Sequence, residues 1–259
     1  MATPNLLQAH YKEQVCIEII HDPQDFEQSF HIQSAAFGTQ ANDAIWMAFS
    51  PSWDTPSGKL AGAARLTKRF NATTINQPGQ PNTLFLKATA PSTRDSDARK
   101  IVGFAIWQQL SAVAGHGDSS PQDLYKSLGV RELYPNDANE QRFLVQVLGS
   151  LHKRRFEVVE EKKNDNAQPP AILVLDICAV DPSYQRQGIA AKLVQYGLDE
   201  AKRRGVEATT EASSMGRGVY IKLGFKPEGN GEDIIYSVDK EFESRKKPSN
   251  VFLRTAGKE

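Results

Sequence analysis

The chain has 259 residues, of which 39% are hydrophobic and 24% are charged, a composition typical of globular proteins. Lysine plus arginine total 31 and aspartate plus glutamate total 31, so the formal net charge is zero. Proteins that bind nucleic acid usually carry a basic excess that displaces counterions, so this balance does not favour a nucleic-acid partner. No apolar run approaches the roughly 18 residues of a membrane-spanning helix, which argues against a membrane partner.

Cysteine usage and the N-terminal sequence bear on the compartment. The two cysteines, Cys16 and Cys178, lie in separate apolar segments, and we expect both to be free buried thiols, as in a reducing compartment. The first 14 residues lack the charged-then-apolar order of a secretory signal. These features predict a cytoplasmic protein. The histidines and cysteines show no metal-ligand spacing, so no metal is predicted.

The N-terminal half alternates between predicted strands and helices. Residues 15–20 predict a first strand, followed by a helix through Phe37 that ends at Gly38, and by a short helical stretch over residues 42–49. Further strands are predicted at the segments separated by turn residues, namely 60–69, 83–90 and 101–107. Short connections predict antiparallel neighbours.

The character changes between residues 108 and 170, where several turn signals surround helical stretches such as 139–158. We interpret residues 108–170 as a helical insertion, and its charged run at 152–163 as a solvated helix face. The insertion interrupts one predicted domain, residues 14–240. Residues 241–259 are predicted to be a C-terminal tail, in which the apolar residues 251–253 are able to dock.

The C-terminal half has a regular order of elements. The pattern predicts strands and helices in alternation, at residues 172–180, 188–204, 206–212, 218–223 and 234–238. Four apolar residues fall on one face of the long helix: Ile189, Leu193, Tyr196 and Ala201. Gly205 is the expected residue after its last turn.

The connection between the strand at 172–180 and the long helix is an anion-binding candidate. The strand ends at Val180, a turn follows, and the sequence Gln185-Arg186-Gln187-Gly188-Ile189-Ala190 opens the helix. The first N–H groups of a helix have no intrahelical partner, and the helix dipole places partial positive charge there. Because Gly188 has no Cβ, a phosphate can approach its backbone closely. The connection predicts a ligand that carries phosphates.

Two blocks of sequence resemble the GNAT N-acetyltransferases. The pattern Gln185-x-x-Gly188-x-Ala190 is similar to the family's coenzyme A loop, Arg/Gln-x-x-Gly-x-Gly/Ala, and residues 218–225 (GVYIKLGF) resemble its short helix with a tyrosine before Leu-Gly-Phe. The resemblance implies an α/β GNAT fold: a mixed, mostly antiparallel twisted sheet flanked by helices, here with a helical insertion before the coenzyme-binding strand. The chain looks most like the family's small-molecule amine acetyltransferases.

The same resemblance implies acetyl-CoA as co-substrate. Backbone amides of the loop would hold the pyrophosphate, the strand end would pair with the pantetheine, and a serine near the second block would bond a coenzyme oxygen. The coenzyme-binding residues expected on this basis are Cys178, Ala179, Val180, Gln185, Arg186, Gln187, Gly188, Ile189, Ala190 and Ser213.

Asp176 is the only charged residue between Ala171 and Val180. Burial of an unpaired carboxylate would raise its pKa toward neutrality, which makes Asp176 a candidate general base for the incoming ammonium. The alternative is a structural anchor tied to a neighbouring backbone group or arginine. Both readings stay open on the sequence.

Further roles follow from the resemblance. Tyr220 occupies the position where the family commonly has a tyrosine near the coenzyme's sulfur, so it is expected to protonate the departing thiolate; the alternative is a core aromatic. Trp46, Phe49 and Trp53 fall where early helices of the family wall the acceptor site.

The sequence therefore predicts an acetyl-CoA-dependent N-acetyltransferase that acts on a small-molecule primary amine by direct transfer in a ternary complex. The alternatives are a protein or peptide N-acetyltransferase and a non-catalytic acyl-CoA-binding module. A large insertion before the catalytic strand favours a covered small pocket over an open groove. The acceptor's identity, the acyl-chain length and a homodimer are left open.

Overall fold

The computed structural model describes residues 15–92 and 98–256. The helices of this part are Asp25–Gln33 (α1), Ala44–Ala48 (α2), Pro56–Asn71 (α3), Leu124–Ser127 (α4), Val130–Leu133 (α5), Ala138–Asn164 (α6), Ile189–Arg204 (α7) and Ser214–Lys222 (α8). The strands are Cys16–Ile19 (β1), Thr83–Pro91 (β2), Arg99–Ser111 (β3), Ala171–Val180 (β4), Glu207–Ser213 (β5), Lys226–Pro227 (β6) and Asn250–Arg254 (β7). A π-helix over Ser34–Gln40 continues α1.

In the described residues the strands form one sheet in the order β1-β2-β3-β4-β5-β7-β6. All neighbouring pairs are antiparallel except β4 and β5, which are parallel. Helices cover both faces of this sheet. The architecture confirms the predicted fold class, a mixed and mostly antiparallel sheet flanked by helices.

A β-bulge in β4 determines where the sheet opens. Ile106 of β3 lies opposite Ile177 and Trp107 lies opposite Leu175, so Asp176 is the extra residue of β4. A bulge bends its strand and increases the local twist. The parallel pairing of β4 with β5 extends over Ile172–Val174 and does not continue past the bulge. The C-terminal half of β4 therefore parts from β5 and leaves an opening between them.

The two faces of the sheet have separate cores because alternate strand residues point to opposite sides. On one face, α7 and α8 pack on residues such as Trp107, Leu173 and Leu175. On the other face, α1 and α3 pack on Phe85 and Phe104, and α6 packs on Ile172 and Val174. The side chain of Asp176 bonds to α3 and α6, so it faces the second of these layers.

The predicted helical insertion forms α4, α5 and α6. It begins later than residue 108, because β3 continues to Ser111. The long helix α6 extends six residues beyond the predicted end at residue 158 and crosses the sheet above β3, β4 and β5. Ion pairs fix it to β5, including Lys162 Nζ to Glu207 Oε2 at 2.7 Å.

The strand predicted at residues 60–69 is wrong, since this segment lies inside α3. The side chain of Thr55 caps the helix by accepting the Gly58 N–H at 3.0 Å, and Pro56 occupies the first helical turn, where its missing N–H costs nothing. The alanine- and leucine-rich sequence that follows favours a helix. The predicted helix end at Gly38 is also wrong, because the π-helix runs through it to Gln40.

The C-terminal region differs most from expectation. Residues 234–238 form no strand; Tyr236 and Val238 pack on α6, and the Ser237 N–H donates to Ser150 Oγ at 3.0 Å. Residues 250–254, predicted within a tail, are β7 and lie between β5 and β6. All five of these residues are buried, and Arg254 pairs with the buried Glu207, so burial and charge pairing hold them in the sheet.

The structure also bears on the predictions for two further strands, the long helix and the two cysteines. The predicted strands at 83–90 and 101–107 and the helix at 188–204 are confirmed. Cys16 and Cys178 are not joined in a disulfide, but Cys16 is exposed rather than buried, and Cys178 is half-buried. Residue 14, where the predicted domain starts, and the N-terminal segment lie outside the described residues. Among the helices of the described part, none has the length and apolar character needed to cross a bilayer.

Candidate active site

The predicted phosphate loop lies at the N-terminus of α7. After β4 ends, a short 3-10 turn over Pro182–Tyr184 leads to Arg186 and Gly188, which have positive φ angles of 63° and 83°. Two left-handed residues so close together turn the backbone sharply, and Gly188 takes this conformation without a Cβ penalty. The loop therefore delivers its backbone directly into the first turn of α7.

The loop leaves hydrogen-bond donors free. Among the described residues, no protein acceptor is bonded to the backbone N–H of Gln187, Gly188, Ile189 or Ala190. A Cβ added to Gly188 would meet no protein atom within 4 Å, so the space beside these donors is open. Free amides at the positive end of a helix dipole, with open space before them, fit the pyrophosphate of a coenzyme.

Side chains of the loop have different positions. Gln185 binds the protein itself: its Nε2 donates to Val180 O at 3.1 Å and to Gln40 Oε1 at 2.8 Å. This ties the loop to the π-helix. Arg186 is exposed, whereas Ile189 is buried in the core, so only the backbone of Ile189 is available to a ligand.

At the end of β4 beside the loop, one edge of the strand is hydrogen-bonded to β3, and the other edge has separated from β5. Cys178, Ala179 and Val180 pair with β3, while β5 has already separated from β4. Their second edge thus faces the opening, as a strand must if it is to bond the amides of a pantetheine chain. Ser213 lies across the opening, where its hydroxyl caps α8 by accepting the Gly216 N–H at 3.4 Å.

Tyr220 of α8 reaches β4 at the opening. Its hydroxyl donates a hydrogen bond to the Cys178 thiol. Burial raises the pKa of Tyr220 well above its ordinary value, and burial also raises the pKa of Cys178 to about 12. Both groups therefore keep their protons at neutral pH. The structure brings the predicted tyrosine to the strand that carries the predicted coenzyme contacts.

Asp176 has two arginine partners. Its carboxylate accepts from Arg69 Nη1 at 2.8 Å and from Arg155 Nη1 at 3.1 Å. Burial by itself would raise the pKa of Asp176, but the two guanidinium groups outweigh it and hold the pKa well below its usual range. The expectation of a raised pKa is wrong. The contacts agree with the alternative reading, an anchor tied to arginine.

The sequence pattern does not single out Arg155 as a site residue, because Arg155 belongs to the charged run at 152–163 that predicts a solvated helix face. It is 5% exposed and also binds Glu211 of β5, with Nε to Oε1 at 2.9 Å. Arg69, Asp176, Arg155 and Glu211 thus form one charged chain from α3 across β4 and α6 to β5. The buried Val158 and Val159 follow Arg155 by three and four residues, which places all three on one helix face and was the available signal.

Three more titratable groups lie near this chain. Burial, assisted by Arg155, lowers the pKa of His152 to about 3, so its imidazole is neutral at physiological pH. Burial also raises the pKa of Tyr236, and the negative charges of Asp43, Glu211 and Asp233 raise it further. Asp43 is the N-cap of α2; its Oδ1 accepts the N–H groups of Ile45 and Trp46, each at 3.0 Å.

An aromatic cluster lies on the same face of the sheet. The Trp46 ring is 5.7 Å from Phe30, 5.8 Å from Phe37 and 5.9 Å from Trp53, measured between centroids. Trp46 and Trp53 pack with the α1 and α3 core that reaches Ile177 of β4. Phe49 does not join them; it packs with the α5 and α6 core instead. Of the three predicted wall residues, two are therefore brought together beside β4.

Comparisons with known proteins agree with this geometry. Residues 146–227, about a third of the chain, match the model of the acetyltransferase (GNAT) domain. This segment contains the predicted coenzyme loop, Asp176 and Tyr220. No curated protein sequence matches the chain.

Solved structures show the same fold at low identity. The chain is similar to a mosquito arylalkylamine N-acetyltransferase-like protein (TM-score 0.54, 15% identity, 93% of this chain and 98% of that one). It is also similar to the polyamine N-acetyltransferase of Drosophila melanogaster (TM-score 0.51, 12% identity, 93% and 97%). A third similar structure is described as a histone acetyltransferase and related acetyltransferase of Corynebacterium glutamicum (TM-score 0.50, 14% identity, 95% and 98%).

The chain therefore has the GNAT fold, and its residues 146–227 match the acetyltransferase (GNAT) domain.

Proposed function

We propose that the protein is an acetyl-CoA-dependent N-acetyltransferase that acetylates a primary amine of a small molecule. The main support for this proposal is that the backbone N–H groups of residues 187–190 have no protein acceptor and lie beside the opening between β4 and β5. A helix N-terminus suits the pyrophosphate, and a parted strand edge suits the pantetheine amides. Bound acetyl-CoA would supply an activated acetyl group for direct transfer to the amine.

Tyr220 is the proposed proton donor in this scheme. Its hydroxyl already donates to the Cys178 sulfur, and its raised pKa keeps it protonated at neutral pH. A protonated phenol at the parted strand is able to donate to a thiolate that forms there. Cys178, with a pKa of about 12, remains a thiol, so direct transfer without a covalent enzyme intermediate is favoured.

We propose Asp176 as a charge anchor and Asp43 as the group that accepts the amine's proton. A carboxylate held ionised by two guanidinium groups is a weak base. Asp43 has no cationic partner among the described residues, and its Oδ2 is not used in capping α2. Asp43 caps the helix that carries Trp46, whose N–H it accepts at 3.0 Å, and its negative charge acts on Tyr236.

A small acceptor is favoured by what covers this face. Helix α6 crosses the sheet beside the opening; Tyr236 and Val238 pack against this helix, and the N–H groups of Ser237 and Asp239 bond to its side chains. A peptide substrate would need an open groove here. Two of the similar structures carry the names of arylalkylamine and polyamine acetyltransferases, which is in keeping with a small amine.

The test is calorimetric titration with acetyl-CoA and CoA, followed by thiol release across small amines and lysine peptides. We expect micromolar binding and release with a class of small amines. Release with peptides alone would replace the small acceptor by a protein one, and binding without release would indicate an acyl-CoA-binding module. Absence of binding would contradict the assignment of the loop.

A further inference from the structure

Arg65 of α3 is a charged side chain that the proposed mechanism does not use. Its Nη2 is buried and has no hydrogen-bond partner, and within residues 15–92 and 98–256 no acid pairs with it. Burial lowers the pKa of its guanidinium. Arg69, one turn later on the same helix, is by contrast paired with Asp176 at 2.8 Å.

The surroundings of Arg65 place it at the junction of α3 with the insertion. Tyr134, which follows α5, interacts electrostatically with Arg65, and its hydroxyl donates to Ala48 O of α2 at 2.6 Å. The carboxylate of Glu140 also lies near Tyr134, but both its oxygens bind Arg245, at 2.7 and 3.0 Å. That acid is therefore not available to Arg65.

An unpaired guanidinium that is partly removed from water is unfavourable, because its lost hydration is not replaced. Arginine is the residue type best suited to bind a carboxylate or phosphate through two parallel hydrogen bonds. Arg65 and Arg69 are four residues apart, so both leave α3 on the same side. The proposed coenzyme phosphates bind elsewhere, at the N-terminus of α7, and do not account for Arg65.

We propose that Arg65 binds an anionic group, a carboxylate or a phosphate, on the acceptor molecule. That the bound molecule is the acetyl acceptor rests on the function proposed above, whereas the anion site itself rests on the unpaired guanidinium of Arg65. The amine of such an acceptor lies toward Asp43 and the opening of the sheet, and its anion lies toward the junction of α3, α2 and α5. The acceptor class is then an amine with a separate acidic group, rather than a plain arylalkylamine or polyamine.

The first measurement is binding without acetyl-CoA. Calorimetry compares the wild type with Arg65→Gln, using carboxylates and phosphates of graded size, such as 3-phenylpropionate and phenyl phosphate, and their neutral alcohols. We expect at least one anion to bind at least tenfold more tightly than its alcohol, with this preference lost in Arg65→Gln and partly kept in Arg65→Lys. Lys68→Gln removes an exposed charge from the same helix and should leave binding unchanged.

The second measurement is acetyl transfer with matched amines: 4-aminobutyrate against butylamine, tyrosine against tyramine, and O-phosphoethanolamine against ethanolamine. We expect an acidic amine to be preferred tenfold or more in kcat/KM, with Arg65→Gln raising its KM and leaving the neutral amine unaffected. The carboxylate and phosphate pairs distinguish the two anion types. The wild-type comparison stands even if a variant folds poorly.

The outcomes separate the two proposals. Anion binding through Arg65 without transfer to any amine would contradict the proposed transferase activity and support the anion site. Efficient transfer to neutral amines, unaffected by Arg65→Gln and accompanied by no anion binding, would overturn the anion site and keep the transferase.

Discussion

Two glycines that flank α7 adopt the same left-handed backbone conformation, but only one belongs to the proposed coenzyme loop. Gly188 has a φ of 83° before the first turn, and Gly205 has a φ of 67° after the last. A Cβ at Gly188 would meet no protein atom within 4 Å, and one at Gly205 would make an ordinary contact with Pro169. Alanine at either position costs about 1 kcal/mol of backbone strain.

Gly188→Ala should therefore weaken CoA binding by tenfold or more, because its Cβ enters the space beside the free amides. Gly205→Ala should lose a similar amount of stability and bind CoA as the wild type does. Calorimetry with CoA and urea unfolding of both variants make the comparison. If Gly188→Ala and Gly205→Ala bound CoA with equal affinity, this would contradict a role of the loop in coenzyme binding.

The two aspartates of the site should respond differently to amidation. Asp43→Asn keeps an N-cap for α2, since asparagine caps as well as aspartate, but it cannot take a proton. We expect kcat to fall by about 10²-fold, with the loss of activity at low pH abolished. Asp176→Asn should instead lower the free energy of unfolding by about 3 kcal/mol, because two guanidinium groups lose their anion.

Pre-steady-state rates across pH and urea titrations of both variants test this assignment. An unchanged pH profile in Asp43→Asn, together with a flattened one in Asp176→Asn, would return the role of base to Asp176. Arg69→Lys is a useful companion, because it keeps a positive charge beside Asp176 and should cost less stability than Asp176→Asn.

The predictability of the site follows from how local each contact is. The loop from Gln185 to Ala190 could be found in the sequence because a strand end, a glycine and a helix N-terminus are adjacent in the chain. The pKa of Asp176 could not, because its partners lie 107 and 21 residues away. The apolar strand does indicate that Asp176 is largely shielded from solvent. The arginines that offset the effect of burial on its pKa, Arg69 and Arg155, reach it only through tertiary contacts.

At the scale of elements, α7 approaches the sheet closely at one glycine. A Cβ on Gly197 would overlap the ring of Trp107 in β3, so glycine is required for this helix-to-sheet distance. Gly197→Ala should lower the free energy of unfolding by about 1–3 kcal/mol, although alanine ordinarily favours a helix.

The matched control is Gly218→Ala in α8, where a Cβ would meet nothing within 4 Å. That change should raise stability by about 0.5–1 kcal/mol, since only the intrinsic helix preference acts there. Thermal and urea unfolding of the two variants should thus shift in opposite directions. A shift in the same direction for both would contradict the close packing of α7 on β3.

Errors in the predicted elements have two physical sources. The pattern of residues 60–69 predicts a strand, but Thr55 and Pro56 just before it provide a helix start, and this local signal decides the structure. Residues 234–238 alternate between half-buried and exposed, as a strand does, but Tyr236 and Val238 pack against α6, and the single bond from the Ile234 N–H to Asn250 O of β7, at 2.7 Å, does not extend into a ladder. Period alone does not reveal whether an extended segment finds a strand as its neighbour.

At the scale of the whole molecule, His152 links the site to acid stability. Its pKa of about 3 in the folded protein is below the ordinary 6.5 of the unfolded chain. Between these values the unfolded chain binds a proton that the folded chain does not, so the free energy of unfolding falls as the pH is lowered through this window. Asp176 acts in the same direction but below its own usual pKa, at lower pH.

Replacement of His152 by glutamine should therefore reduce the loss of stability between pH 7 and pH 4 by about 1–3 kcal/mol. Urea unfolding at several pH values measures this difference. His21→Gln, which changes an exposed histidine, is the matched control for loss of an imidazole elsewhere in the chain. Parallel curves for the wild type and His152→Gln would contradict the lowered pKa.

The position of β7 has a consequence for biosynthesis. β5 pairs with β4 along one edge, but its other edge pairs with β7, as β6 does, and β7 follows β6 by more than 20 residues. While residues 250–254 are still inside the ribosome, this second edge of β5 has no partner strand. Open strand edges invite pairing with other chains, so a nascent chain halted before residue 250 is the form of this protein most prone to aggregate.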